Sequence, residues 1–536
     1  MSRRRFIHGS LISALFGKLA VGATAALANA SASATLRRSR GGSLTTLDPH
    51  RALSAVDLEV AAECFLGLTT LDAEGEVIPG CARSWQVSAD GKRYEFRLRP
   101  NLRWSDDSAI TAADFARSIR RLLQPATGAL LGYRYDAIRG ARALRESRPV
   151  AAWGVTAPSN DVLIIDLERP ETDLLKLLVL AYPVPLRQIE QRGSDWAKPP
   201  HIIVNGAYRP VSWAQNGSLV LERNSRALRI EGETRPPQRV EWVMGVDDTT
   251  RWRLFRSGEL QLAQIGDAAV LETARREMPR AVHTAAYYGG GWLGVNLQRP
   301  RLGDVRLRRL LSLATDRSTL VDKVRRLGER ASESLVPEAV RDYAERARPV
   351  YGSLSQPQRL QQARELARSL GLERSKPLTL RAIYSTNPLT QRTFLALDAM
   401  WAPLGVRLES RGLESRAYSL ALNQGDFDLM DYSPFSAVQS ATSFIGRFQS
   451  GSFLNYSRYS NPEVDRLIEV AERQMEPTRR AGYYLEVEKI LLQDLPVIPL
   501  FSGVTHRLIA NRVGHAGMSS ALAMPSQYLS LQGVNR

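Results

Sequence analysis

Short runs that alternate apolar and polar residues are interleaved with longer amphipathic helical runs, and this succession constrains the fold more than any other property of the chain. Tyr94-Glu95-Phe96-Arg97-Leu98 alternates with period two, as a half-exposed strand does, and the turn pair Asp90-Gly91 precedes it. Thr111 stands where an N-cap belongs, before a helical run that puts Phe115, Ile119 and Leu122 on one face. Asp304 caps a second run, in which Leu307, Leu310, Leu311 and Ala314 follow the i, i+3, i+4, i+7 spacing. Val464, Leu467, Ile468 and Ala471 repeat that spacing later. The pattern predicts an α/β fold in which these apolar faces are cores rather than sites. Without an internal repeat or a long low-complexity tract, solenoids and propellers are disfavoured.

At 536 residues, 44% hydrophobic and 24% charged, the chain is long enough for several cores. Its formal charge is +17, which raises the question of an anionic partner. The arginines, however, are interspersed with acids along amphipathic segments and accompany no nucleic-acid module, so dispersed solvated charge is expected and nucleic acid is not.

Residues 1–30 read as an export address. Ser2-Arg3-Arg4-Arg5-Phe6-Ile7 is close to the twin-arginine consensus, and an apolar run from Leu11 to Leu27 leads to small-residue sites at Ala28-Asn29-Ala30 and Ala32-Ser33-Ala34. Lys18 interrupts the run, which suits a twin-arginine signal better than a membrane span. No cysteine follows in lipobox position. Beyond the leader, no uncharged apolar run reaches the roughly eighteen residues needed to span a bilayer.

Catalytic constellations are sparse. His8, His50, His201, His283, His506 and His515 are scattered, and none makes a compact ligand pattern, so neither a metal nor another cofactor is expected. Gly289-Gly290-Gly291-Trp292-Leu293-Gly294 satisfies G-x-G-x-x-G but runs into Val295-Asn296-Leu297, with no helix to receive a phosphate; a closely approached hinge strand is the better reading. No G-x-S-x-G elbow is present. The chain is therefore expected not to be an enzyme. Cys64 and Cys81 stand as either a disulfide, worth about 3 kcal/mol in the chain-entropy model, or two buried thiols.

An ordered set of segments adds a family resemblance. Leu47-Asp48-Pro49-His50, Glu63-Cys64-Phe65-Leu66-Gly67-Leu68, Pro79-Gly80-Cys81-Ala82-Arg83-Ser84-Trp85 and Tyr94 to Arg99 open it. Trp104-Ser105-Asp106-Asp107, Thr111 to Phe115, Asn205-Gly206-Ala207-Tyr208, Leu221-Glu222-Arg223-Asn224, Asp304 to Arg308 and Asn461-Pro462-Glu463-Val464-Asp465 continue it. In order and spacing these resemble family 5 extracellular solute-binding proteins, the oligopeptide, dipeptide and nickel receptors of bacterial ABC importers, with oligopeptide-binding proteins nearest. The resemblance implies a bilobal periplasmic-binding-protein fold of type II with an additional small lobe and two hinge strands, near Tyr287 and Leu500. Lobe I would comprise 31–70, 175–284 and 500–536, lobe II 71–174 and lobe III 285–499. It implies a monomer in the periplasm of a Gram-negative bacterium, whose partners are a peptide or peptide-like ligand and an inner-membrane permease and ATPase complex. A sensor or chaperone-like module of the same fold, or a receptor for a metal complex, haem or sugar conjugate, stands as the alternative.

Two segments resemble the family's ligand-contact regions. In the first, Tyr287 and Trp292 are candidate aromatic walls, with a core role open for each ring. In the second, Asp431, Tyr432, Ser433, Phe435 and Ala437 precede Thr442-Ser443-Phe444. Family members that bind oligopeptides carry there an aspartate that accepts the ligand's α-ammonium. Alignment through Thr442-Ser443-Phe444 puts Ala437 at that position and Asp431 where the family has a basic residue. Either Asp431 takes over the role or the ligand lacks a free amine, since a buried ammonium without a carboxylate is strongly penalised.

Overall fold

The structure is a computed structural model that describes residues 35–72, 75–214, 217–232, 235–436, 438–515 and 524–532. The leader over 1–30 and Ala437 lie outside the described residues.

Local signals become elements as their chemistry requires. Arg93–Leu98 is a strand with Tyr94, Phe96 and Leu98 buried, and Gly91 turns into it with φ of +67°. Helix Ala112–Leu123 starts at Thr111, whose N–H is accepted by the Asp114 carboxylate at 2.8 Å, and it buries Phe115, Ile119 and Leu122. Asp304 caps Val305–Ala314 by accepting the Arg306 N–H at 2.9 Å. Asn461 does the same for Pro462–Arg473. Each fully buried leucine or phenylalanine on these faces contributes about 1.5–3 kcal/mol.

A small antiparallel sheet of Ala82–Val87, Arg93–Leu98, Val162–Asp166 and Val155–Thr156 packs Phe96, Leu163 and Ile165 with Phe115 and Ile119 of the helix. The large mixed sheet has eleven strands among the described residues. From one edge its order is Val406–Leu413, Leu378–Ser385, Leu429–Tyr432, Val282–Val295, Val497–Ile509, Leu262–Ile265, Thr35–Ser39, Arg239–Val243, Ser218–Arg223 and Tyr208–Trp213, with Arg330–Ala331 beside Val497–Ile509. Thr35–Ser39 runs parallel to both neighbours, and so does Leu378–Ser385.

Two long strands at the centre, Val282–Val295 and Val497–Ile509, pair antiparallel and carry the sheet from one set of cores to the other. Their register shifts between Ala286 and Gly290. The glycines there have a steric cause. A Cβ on Gly290 would meet the Phe501 carbonyl oxygen at 2.4 Å, and one on Gly291 would meet the Phe501 ring at 2.3 Å. The G-x-G-x-x-G match is therefore continuous strand, with no helix after it to form a dinucleotide turn.

Cys64 and Cys81 are both free and buried. They belong to different cores, Cys64 with Trp196 and Tyr208 and Cys81 with the small sheet. The Asn205 amide donates to the Cys81 sulfur at 3.6 Å. Burial pushes the Cys81 thiol up to about 12 and holds Cys64 well above its usual range, so neither is a reactive thiolate. No helix among the described residues is long and apolar enough to cross a membrane.

Candidate functional site

The two halves of the molecule meet along one face of the crossing strands, and the residues there fall into an apolar contact and an ionic seam. The apolar contact follows from how Val282–Val295 is partnered. After Leu429–Tyr432 the chain continues along the same strand, with the Gly290 N–H donating to the Pro434 carbonyl at 3.1 Å and the Ser436 N–H to the Tyr288 carbonyl at 2.8 Å. This places Phe435 beside Gly289. Phe435 and Tyr287, both half-buried, then pack against Ala52 and Leu58 of the opposite half, as do Ala55 and Leu180. Enclosure raises the Tyr287 phenol to about 12, against the opposing pull of Arg40.

The structure separates the expected ligand-contact residues into two groups. Tyr287, Asp431 and Phe435 are partly exposed and Ser433 is exposed. Trp292 and Tyr432 are buried, the core role that the sequence leaves open for Trp292. Trp292 is 2% exposed in an aromatic cluster, with Tyr432 edge-on at 5.2 Å and Phe444 and Phe448 beyond. The Tyr432 hydroxyl donates to the Leu454 carbonyl at 2.8 Å. Trp292 and Tyr432 are cross-strand partners and so share a face, but that face is the core one. Arg447 supports the segment from behind, donating to the Phe435 carbonyl at 3.0 Å and the Ser443 carbonyl at 2.6 Å.

Asp431 is the carboxylate of this region. Burial lifts it to about 6, against the pull of Arg325 and a hydrogen bond from the Ser433 hydroxyl at 3.3 Å. The Tyr418 hydroxyl donates to the Asp431 backbone carbonyl and fixes the strand end. Ala437 lies outside the described residues, between Ser436 and Val438.

The ionic seam was not anticipated from sequence. The segment from Arg169 to Lys176 carries four charged side chains, of which Arg169, Asp173 and Lys176 reach across to the half bearing Asp342, Ser440 and Glu472. Arg169 lies 2.6 Å from Glu472, and Lys176 lies 3.1 Å from Asp173 and 3.0 Å from Asp342. The Ser440 hydroxyl donates to Asp173. Burial first, then Glu472 and Asp173, raise Glu171 to about 8, and burial likewise raises Glu472. Burial also works on Asp173, but Lys176 and Ser440 hold it below its ordinary value. In the sequence these residues are a plain run of charges; their partners lie 166 to 303 positions away. No group of three or more potential metal ligands occurs among the described residues.

Comparison with known proteins agrees with this architecture. The model of the family "Bacterial extracellular solute-binding proteins, family 5 Middle" matches residues 76–455. The periplasmic oligopeptide-binding protein OppA of Escherichia coli K12 is 30% identical over 492 residues, which cover 90% of this chain and 89% of that one. Among solved structures, the murein tripeptide-binding protein MppA of Escherichia coli superposes with a TM-score of 0.85 at 26% identity, covering 93% of this chain and 98% of that one. The unliganded open form of MppA gives 0.73 at 25% identity, covering 93% and 97%. The halves here are thus arranged less like that open form than like the other MppA structure, and the fold is the bilobal type II fold. The chain belongs to the family 5 bacterial extracellular solute-binding proteins.

Proposed function

We propose that this protein is the periplasmic receptor of an ABC importer, which captures a peptide or peptide-like solute between its lobes and presents it, closed, to a permease and ATPase complex. The observation that carries the reading is the packing of Tyr287 and Phe435 from one lobe against the Ala52 and Leu58 cluster of the other. Only the closed arrangement offers both walls at once, so a ligand touching both stabilises closure by its differential contacts. The names of OppA and MppA, one an oligopeptide and the other a murein peptide receptor, support peptide as the ligand class.

In this reading Tyr287, Asp431, Ser433, Phe435 and the neighbouring Ala437 meet ligand, while Trp292 and Tyr432 hold the wall rigid from behind. Lobe I comprises 31–70, 175–284 and 500–536, lobe II 71–174 and lobe III 285–499, with hinges where the crossing strands change lobes. Export through the twin-arginine route and action as a monomer complete it. No step of chemistry is assigned, and binding is the whole activity.

Native mass spectrometry of protein purified from periplasm should detect a retained ligand of peptide mass that leaves on denaturation. Calorimetric titration with a mixed peptide pool should then give saturable heat, and Tyr287→Ala should weaken it by about 1–3 kcal/mol with a nearly unchanged melting temperature. Neither adduct nor heat would overturn the receptor reading.

A further inference from the structure

Leu58 and Leu180, which share a cluster with Tyr287 and Phe435, also line a pocket of about 50 Å³. Leu58, Phe65, Leu180 and Leu228 line it from one lobe and Val438 from the other, so closure completes it. Its polar side chains are Thr70, Asp72, Tyr182, Asn205 and Gln527, of which Asn205 is committed on both sides of its amide. The Asn205 amide donates to the Leu66 carbonyl at 2.9 Å, and its carbonyl accepts the Leu66 N–H at 3.1 Å. The Asp72 carboxylate accepts the Glu76 N–H at 2.8 Å, and it is the one charged residue in the lining among the described residues. A carboxylate entering here loses its water without meeting an opposite charge among the described lining residues, a penalty of several kcal/mol, and an ammonium can meet only Asp72.

Size limits the occupant further. At roughly 10–15 Å³ for each water-sized group, the space takes about three to five heavy atoms. That is a short aliphatic group, not a long lipid chain.

We propose that this pocket receives a short, uncharged aliphatic group of the ligand, supplied as an acyl cap on a peptide's amino end or as a small aliphatic side chain. The assignment rests on the receptor reading above and narrows its substrate class.

Calorimetry with trialanine, N-butyryl-trialanine and Leu-Ala-Ala separates the sources. An acyl-cap site binds the butyryl peptide about tenfold or more tighter than trialanine, and a side-chain site does the same for Leu-Ala-Ala, since three buried methylenes suffice for such a factor. Ala62→Leu, which fills the pocket from helix Ala55–Cys64, should erase that preference while trialanine still binds. Should that variant misfold, Leu180→Ala enlarges the pocket instead and should shift preference to a longer acyl group. Equal or tighter binding of trialanine than of both other peptides overturns the proposal, and loss of that binding in Asp72→Asn would reassign the pocket to an ammonium. Binding of none of the three by a folded protein overturns the receptor reading together with it.

Discussion

The lobes meet in two ways that differ in kind. At Leu58, Leu180, Tyr287 and Phe435 the contact is apolar and leaves a pocket beside it. At Arg169, Glu171, Asp173 and Lys176 against Asp342, Ser440 and Glu472 it is a charged network with short, directional contacts. Apolar contact grows with buried area and tolerates sliding, so it adapts to ligands of different shape. The seam is satisfied at one geometry only, and removing one member strands another charge. The first region is suited to accepting a solute and the second to setting the angle at which the lobes stop.

The largest effect should come from the wall behind the apolar contact. Trp292→Ala removes a 2% exposed ring packed on Tyr432, Phe444 and Phe448 and should cost about 3–5 kcal/mol of stability by chemical denaturation. The seam should be untouched by it. A loss confined to ligand affinity, with an unchanged denaturation midpoint, would return Trp292 to the cleft and blur the distinction between wall and support.

A smaller loss should follow from the seam itself. Lys176→Met keeps the aliphatic stem but strands Asp173, which is 6% exposed, and Asp342 on the facing lobe. With the lysine head partly open to solvent, the cost should be about 1–3 kcal/mol. Small-angle scattering of the ligand-free protein should show a more open average shape in the variant than in the parent. An unchanged scattering curve would mean that the seam holds residues in place without setting the lobe angle.

The sequence makes local features legible and leaves distant ones hidden. Thr111 with Asp114 and Asp304 with Arg306 can be read because a cap and its helix lie within four residues. The glycines at 289–291 are readable as strand because no helix follows them, although the Phe501 ring that requires Gly291 is 210 positions away. Trp292 and Tyr432 mark the limit. Alternation says that they share a face, but their strands are covered on both sides, and only the fold decides which face meets the cleft. The seam was invisible for a related reason. Lys176 finds Asp342 only after the long strands bring the lobes together, and charge runs of that kind are usually solvated.

The subtlest way to sharpen the comparison is pH, which should move the seam and leave the apolar contact unaffected. Glu171 is packed among Arg169, Asp173, Tyr94, Glu472 and Tyr484, and its folded value of about 8 lies above its ordinary 4.5. The folded protein therefore holds a proton there that the unfolded chain has released. For a raised group the associated stability is fully present below the unfolded value and is lost as pH rises through the folded one. Stability should thus fall from about pH 5 to about pH 8, at up to about 1.4 kcal/mol per pH unit for one proton. Asp173 has the opposite sign, since its value is depressed, but its window lies below its ordinary 3.8 and does not overlap. Glu171→Gln keeps an acceptor for the Asp173 N–H, now at 3.1 Å, and carries no charge at any pH. Melting temperatures of parent and variant should be similar near pH 5.5 and diverge in favour of the variant by pH 8.5. Parallel profiles across that range would place the proton elsewhere and remove the seam's claim to be the pH-sensitive half of the closure.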